Sequence, residues 1–221
     1  MKLDTAFMIE RIPDFIQAAL LTVEIATIVI ASSLLIASIY NVILYNRVPI
    51  LTMLVRIHVE IARNTPLLIQ LFFLYFALPS VGIKLSNYDT AIIAMTFLGV
   101  GYLTEVIRSG IDAVPTDQEE SGLAIGLSRA QLFRYIILPQ ALRISTPALF
   151  ANFIFLLKET TVVSAIAIPE ILYTTTNYIA LYYKTYEMLL MMTAIYLLLF
   201  LPLSCLLSWV ERRYQHGTIG T

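Results

Sequence analysis

The sequence predicts an all-α integral membrane protein, one bundle over residues 1–221 with five transmembrane helices and a short helical hairpin on one side. Three observations predict it. First, 59% of the 221 residues are hydrophobic and only 13% are charged, whereas soluble domains carry about 25% charged residues; mean hydropathy is +0.82. Second, the apolar residues gather in runs of the roughly 20 residues that a bilayer crossing needs. Third, residues Glu119–Pro139, EESGLAIGLSRAQLFRYIILP, form a polar, arginine-bearing break between two such runs.

The same composition excludes other classes. A net charge of −1 removes any bulk-electrostatic case for nucleic acid. The lone Cys205 permits neither an intrachain disulfide nor a cysteine-based metal cluster, and in its apolar run it reads as a small filler. Asp4, Glu10, Arg11 and Pro13 precede a long apolar run, so the N-terminus lacks the short apolar core and cleavage site of a signal peptide, and the first span is expected to be retained.

The first span falls within Phe15–Tyr45, and Met8, Ile9, Ile12, Phe15 and Ile16 ahead of it stand at helical spacing. That stretch is either a short interfacial helix or an extension of the span. The second span runs from Val48 to Leu78 and is weakened at Thr65-Pro66, because Pro66 removes the bond to the Ala62 carbonyl. The freed backbone and Asn64, Thr65 and Gln70 either face a ligand or mark a kink that a neighbour satisfies. The third span runs from Asp89 to Ile111. Gly99 and Gly101 allow close helix approach there, and Glu105 with Arg108 forms an intrahelical pair. The fourth, Ala141–Ile168, is interrupted by Pro147, Lys158 and Glu159. The fifth, Tyr186–Val210, is anchored by Trp209 and Tyr214. Glu60 and Arg63 read as a surface i,i+3 pair, and Glu24 lies in the first span. His58 and His216 lack metal-ligand company.

Basic residues set the orientation. With the Glu119–Pro139 loop inside, Arg47, Arg56, Arg63, Arg108, Arg129, Arg134, Arg143, Arg212 and Arg213 fall on its side, and Lys2, Arg11, Lys84 and Lys184 fall opposite. The N-terminus is therefore expected outside and the C-terminus in the cytoplasm. In the loop, Thr116/Glu119 and Ser128/Gln131 each have capping-box spacing, and Gly126 suits a left-handed helix end. Two short helices meeting near Gly126–Ser128, the second limited by Pro139, are expected. Such a hairpin either docks a soluble partner through its small and apolar residues or packs on its own bundle.

Glu120-Ser121-Gly122, Gly126, Ile136, Leu138 and Pro139 match the spacing of the EAA signature, E-A-A-x3-G-x9-I-x-L-P, with Ser121-Gly122 in place of two alanines. Arg63-Asn64-Thr65-Pro66-Leu67-Leu68-Ile69-Gln70-Leu71-Phe72-Phe73, Leu138-Pro139-Gln140-Ala141-Leu142-Arg143 and Leu156-Leu157-Lys158-Glu159-Thr160-Thr161 also resemble runs of one subfamily. In these respects the chain resembles the permease subunits of ABC importers for polar amino acids, multi-pass proteins of the bacterial plasma (inner) membrane.

The resemblance implies a dimer of permeases, either two copies or a copy and a homologue. It also implies ABC ATPase subunits that bind ATP and Mg, and an extracytoplasmic binding protein. No cofactor and no catalytic activity are implied for this chain, which has no G-x-x-x-x-G-K-[ST] loop. The coupling helix would comprise Glu120, Ser121, Gly122, Leu123, Ala124, Gly126, Leu127 and Ser128. Gly122 is expected to weaken it by about 1 kcal/mol relative to alanine.

Charge inside a membrane marks a functional candidate. Asn152 and Glu159 are seven residues apart and share a helix face, while Lys158 points about 100° away. In the resembling permeases these positions line a substrate pocket, and acids at the first suit cationic substrates; Asn152 argues against a strictly cationic one. Thr160, Asn64, Thr65 and Gln70 complete the candidate set. The competing reading is that Asn152 and Glu159 bond across a dimer seam. An ion-gradient carrier using Glu24, Glu105 or Glu159 as a relay is the alternative function, and five spans without an internal repeat argue against it. A membrane enzyme lacks support in any nucleophile–base pair or metal spacing.

Overall fold

The chain is described here by a computed structural model covering residues 3–215, with side-chain surroundings through residue 210. The expectations for Lys2 and His216, and for the side chains of Arg212, Arg213 and Tyr214, lie outside the described residues. Among the described residues the secondary structure is helical, without strands. Among the described residues four helical stretches are long and apolar enough to cross a membrane, five when the bent pair Pro49–Asn64 and Leu67–Val81 is counted as one span.

Helix α1 (Thr5–Tyr45) is one unbroken rod, so the amphipathic N-terminal stretch is an extension of the first span. Asp4 caps it, its side chain accepting from the Phe7 N–H at 3.1 Å. Its buried residues, from Phe15 through Ile25 and Val29 to Ala37 and Asn41, recur at helical spacing and form one stripe.

The second span is broken at Thr65-Pro66, where the sequence places its weak point. Helix α2 (Pro49–Asn64) and helix α3 (Leu67–Phe72) meet at 108°. Thr65 adopts φ −118°, ψ 129°, the extended geometry that a following proline imposes. A π-helical turn at Phe73–Ala77 and a 3-10 turn at Leu78–Val81 finish the span.

Helix α4 (Asn87–Asp112) is the central element and packs on α1 and α2. Its glycines permit this contact: a Cβ at Gly99 would collide with the Ser33 hydroxyl, and one at Gly101 would lie 2.7 Å from the Ala62 Cβ. His58 joins three helices. Its Nε2–H donates to the Phe97 carbonyl at 3.0 Å, which leaves Nδ1 to accept from the Tyr40 hydroxyl at 2.9 Å. A carbonyl can only accept, so the geometry selects this tautomer.

Helix α5 (Thr116–Ala124) leads through Gly126 (φ 86°) to α6 (Arg129–Leu132), a π turn at Phe133–Ile137 and α7 (Leu138–Glu159). Two expectations are corrected here. Pro115 is the N-cap of α5, Thr116 is its first residue, and the Thr116/Glu119 box does not form. Pro139 does not end a second short helix: the π turn just before it absorbs the missing N–H, and the chain stays helical over Arg129–Ile166. The Ser128/Gln131 capping box does form, at 3.3 Å and 2.9 Å.

A 3-10 turn at Thr160–Ile166 leads to an element not expected from the sequence, helix α8 (Ile171–Tyr182), which packs on α1 and α9. Its N-cap is Glu170, fully buried, whose carboxylate accepts from the N–H groups of Leu172 and Tyr173 at 2.9 and 2.6 Å. Helix α9 (Thr185–Gln215) follows, and Cys205 on it is exposed at the bundle surface, so it fills no core gap. The main core joins α1, α4 and α7 through Ile25, Val29, Met95, Leu98, Leu103 and Leu156. Large apolar side chains such as Leu35 and Leu198 face outward, as a lipid solvent permits.

Candidate functional site

Two features stand at different depths of the bundle: an exposed hairpin tip at one end, and a succession of grooves along α4.

The tip is α5 with the turn to α6. Leu123 and Ile125 are 45% and 77% exposed, large apolar side chains on a polar hairpin. Glu120, Ser121, Ala124, Gly126 and Ser128 are also exposed, and Leu127 is half-buried. Ile125 is not among the residues expected from the sequence, although its neighbours Leu123 and Ala124 are. The signal available in the sequence is a large apolar residue directly before the turn glycine Gly126. Gly122 is buried, and a Cβ there would press on the Leu132 Cδ1 atom, with Ile136 close by. Its small size therefore seats α5 on the segment leading into α7, a packing role beyond the expected loss of helix propensity.

The grooves follow one another down α4. The one farthest from the tip has a volume of about 480 Å³ and is lined by Arg63, Asn64, Thr65, Tyr102, Phe155 and Glu159, among others. The next, about 400 Å³, is lined by Arg63, Tyr102, Glu105, Ser145 and Asn152. A cleft of about 780 Å³ then opens toward the tip between Asn41, Arg56, Glu105, Arg108, Asp112 and Glu119. Shared walls at Arg63 and Tyr102, and then at Glu105, make the three contiguous.

Asn152 and Glu159 are both half-buried on α7, in adjacent grooves. The Asn152 amide donates to the Ala148 carbonyl at 2.8 Å, and its oxygen is left for another partner. Asn64 and Thr65 reach the Glu159 groove; the Asn64 amide donates to the Glu60 carbonyl and carboxylate, while the Thr65 hydroxyl makes no hydrogen bond among the described residues. Two candidates are not brought to a groove. Thr160 is fully buried and donates to the Leu157 carbonyl at 2.7 Å. Gln70 closes the α2–α3 break, donating to the Ala62 and Thr65 carbonyls at 3.1 and 2.9 Å. It thereby satisfies the carbonyl that Pro66 frees. Lys158 faces away, 5.9 Å from the Phe200 ring centroid.

The expected Glu60–Arg63 pair does not form among the described residues. Arg63 instead lies 3.4 Å from the Glu105 carboxylate and 5.8 Å from the Tyr102 ring. The packing of α2 on α4 brings these residues together, which sequence separation alone does not reveal. Glu105 and Arg108 pair as expected, through two bonds of 2.9 and 3.0 Å, and Arg108 also holds Asp112 at 2.6 Å. Glu24 accepts from the Tyr88 hydroxyl at 2.6 Å. Among the described residues no cluster of three metal-binding side chains occurs.

Comparison with known proteins agrees with this architecture. Residues 32–216 match the family described as binding-protein-dependent transport system inner membrane component. The chain is 38% identical over 168 residues to a probable glutamine ABC transporter permease protein of Bacillus subtilis, covering 76% of this chain and 77% of that one. It is 32% identical over 213 residues to a probable amino-acid permease protein of the same organism, covering 95% of each. It is 29% identical to the glutamine transport system permease protein of Escherichia coli, over 97% of this chain and 99% of that one. Among solved structures, that of an amino acid ABC transporter with histidines superimposes with a TM-score of 0.90 at 29% identity, over 96% of this chain and all of that one. The helix order, the exposed hairpin and these matches together make the chain a member of the binding-protein-dependent transport system inner membrane component family.

Proposed function

We propose that the chain is the membrane permease subunit of an ATP-driven importer and translocates a polar amino acid handed to it by an external binding protein. The observation that carries the reading is the helical stretch Arg129–Ile166, which begins at the hairpin tip and ends just past Glu159. A push on the tip is transmitted along one rod to the wall of a groove holding an intramembrane carboxylate. Packed helices respond to such displacement as bodies with discrete arrangements.

In this reading the tip end is cytoplasmic, the N-terminus is outside and the C-terminus inside. Leu123 and Ile125 seat in a groove of an ABC ATPase subunit, which carries the ATP and Mg. Hydrolysis belongs to that subunit. A second permease, a copy or a homologue, completes the grooves. Asn152, Glu159, Asn64 and Thr65 hold the substrate; Gln70 and Thr160 support the walls. The named glutamine permeases and the neutral Asn152 favour an uncharged polar amino acid.

The test is uptake into vesicles containing the complete importer. Uptake stops without ATP and survives collapse of ion gradients; the reverse pattern points to a gradient-driven carrier. Glu159→Ala abolishes uptake while assembly with the ATPase persists, and wild-type uptake by that variant would remove Glu159 from the site.

A further inference from the structure

We propose that Arg63 is the anchor for the substrate's α-carboxylate, and that Arg63 and Glu159 grip the two ends of an amino acid zwitterion across one groove. The proposal rests on the reading of Glu159 as a substrate residue.

The groove of about 480 Å³ is lined by one cation, Arg63, and one carboxylate, Glu159. Arg63 lies in the last turn of α2 and Glu159 ends α7, so the opposite charges come from two different helices across the groove. A zwitterion is the complementary ligand: its ammonium group meets Glu159 and its carboxylate meets the guanidinium. Lys158, the neighbouring cation, is turned toward Phe200 and does not compete.

The guanidinium is available. It makes no hydrogen bond among the described residues, although a guanidinium has five N–H donors. Its ion pair to Glu105 is long at 3.4 Å, and the Arg63 side chain is 40% exposed. Glu105 does not depend on it, because Arg108 already holds that carboxylate with two shorter bonds. A substrate carboxylate can therefore take Arg63 without leaving a buried charge unpaired, the step that is costly in other ion-pair exchanges. The fork of a guanidinium also matches a carboxylate in two parallel bonds, which a lysine cannot supply. Tyr102, 5.8 Å away, holds the guanidinium over its ring on the wall shared by both grooves. Arg63 thus faces the substrate in either groove, beside Glu159 in one and Asn152 in the next.

The experiment measures ligand binding to the purified permease–ATPase complex without the binding protein, whose own selectivity would mask the effect. The probe is whichever of the twenty common L-amino acids raises the melting temperature of the complex most. Its Kd is compared with those of the same compound with the α-carboxylate amidated and with the α-amino group removed. The wild type is expected to disfavour both analogues by about tenfold or more, the scale of a charge-assisted hydrogen bond. Arg63→Gln should bring the parent-to-amide ratio close to one and leave the desamino ratio unchanged. Glu159→Gln should do the opposite. Arg63→Lys should keep part of the carboxylate preference, which separates charge recognition from a structural effect.

If Arg63→Gln and Arg63→Lys both retain the wild-type amide discrimination while Glu159→Gln loses its ammonium discrimination, the Arg63 anchor is overturned and the Glu159 site stands. If only the Arg63 variants respond, the anchor stands and the Glu159 assignment fails. Absence of binding by every probe to the wild-type complex overturns both.

Discussion

The end of the bundle that carries α5 and the end opposite it are finished in contrasting ways. At the α5 end, Leu123 and Ile125 project outward from the hairpin. At the other end, the start of α1 is fastened to α8 and α9. Lys184 donates to the Asp4 carboxylate at 2.8 Å, the Asp4 N–H donates to Glu187 at 3.1 Å, and the Tyr178 hydroxyl donates to Asp14 at 2.7 Å. The Arg11 guanidinium lies 5.2–5.4 Å from the ring centres of Phe7, Tyr178 and Tyr182. One end presents apolar side chains on a polar hairpin, while the other ties polar and aromatic groups of α1, α8 and α9 to one another. The difference separates an exposed apolar surface, on the proposed reading the one a partner moves, from a clasp that ties the first span to the last.

Substitutions at the two ends should therefore fail in different assays. The largest effect is expected at the open end. Ile125→Asp should lower ATP-driven uptake by at least about tenfold, as loss of a buried apolar anchor worth roughly 2 kcal/mol or more would do. Thermal stability of the permease alone should not change, since Ile125 is 77% exposed. A stability loss with normal uptake would reverse the contrast between the ends.

Gly122→Ala tests how the open end is seated. Alanine gains about 1 kcal/mol in helix propensity, but its Cβ would press on the buried Leu132, and overpacking costs roughly 1–3 kcal/mol. A net loss of about 1 kcal/mol is expected from these two opposing terms, with recovery in Gly122→Ala/Leu132→Val. Stabilisation by alanine alone would show that propensity outweighs packing there.

At the closed end, Arg11→Met keeps the apolar stem and removes the cation. It should cost about 1–2 kcal/mol, the range of a partly desolvated cation–π contact, and leave the maximal ATP-driven uptake rate unchanged. The smallest effect concerns pH. The Lys184 ammonium, foremost, and the Phe7 N–H hold the Asp4 carboxyl below its ordinary 3.8, and Asp4 holds the Lys184 ammonium above its ordinary 10.5. A depressed carboxyl contributes stability above its unfolded value and loses it as pH falls through the folded one. A raised ammonium contributes below its unfolded value and loses it as pH rises through the folded one. The melting-temperature difference between wild type and Asp4→Asn should therefore be flat from about pH 5 to 9 and close at both the acid and the alkaline extremes, where Asp4 and Lys184 respectively lose their charge. A step near neutrality would show that another group controls the clasp.

The two ends also differ in how much the sequence discloses. At the open end, the Gly126 turn and the Ser128/Gln131 cap are legible because both are local: a left-handed glycine and an S-x-x-Q spacing act within a few residues. The T-x-x-E spacing at Thr116 misleads because Pro115 takes the cap position instead. Pro139 misleads as a stop because a π turn is invisible to periodicity. At the closed end almost nothing is legible, because Asp4 and Lys184 are 180 residues apart. Helix α8 escapes a reading of the sequence because its N-cap, Glu170, is a buried glutamate, an uncommon choice at that position.

The sequence by itself determined the membrane class, the five apolar runs, the hairpin, and the presence of Asn152 and Glu159 on one helix face. These follow from composition, period and short-range spacing, which act along the chain. The tertiary structure alone decided which charges of different helices meet. The packing of α2 on α4 set Arg63 beside Glu105 and Tyr102, in the groove of Glu159, instead of against Glu60. Packing also turned Gln70 and Thr160 inward, as supports for the groove walls. The physical reason is that a proline specifies where a helix breaks but not the direction in which the broken end then packs. That direction is set by the close approach of Ala62 to Gly101 on a helix far along the chain.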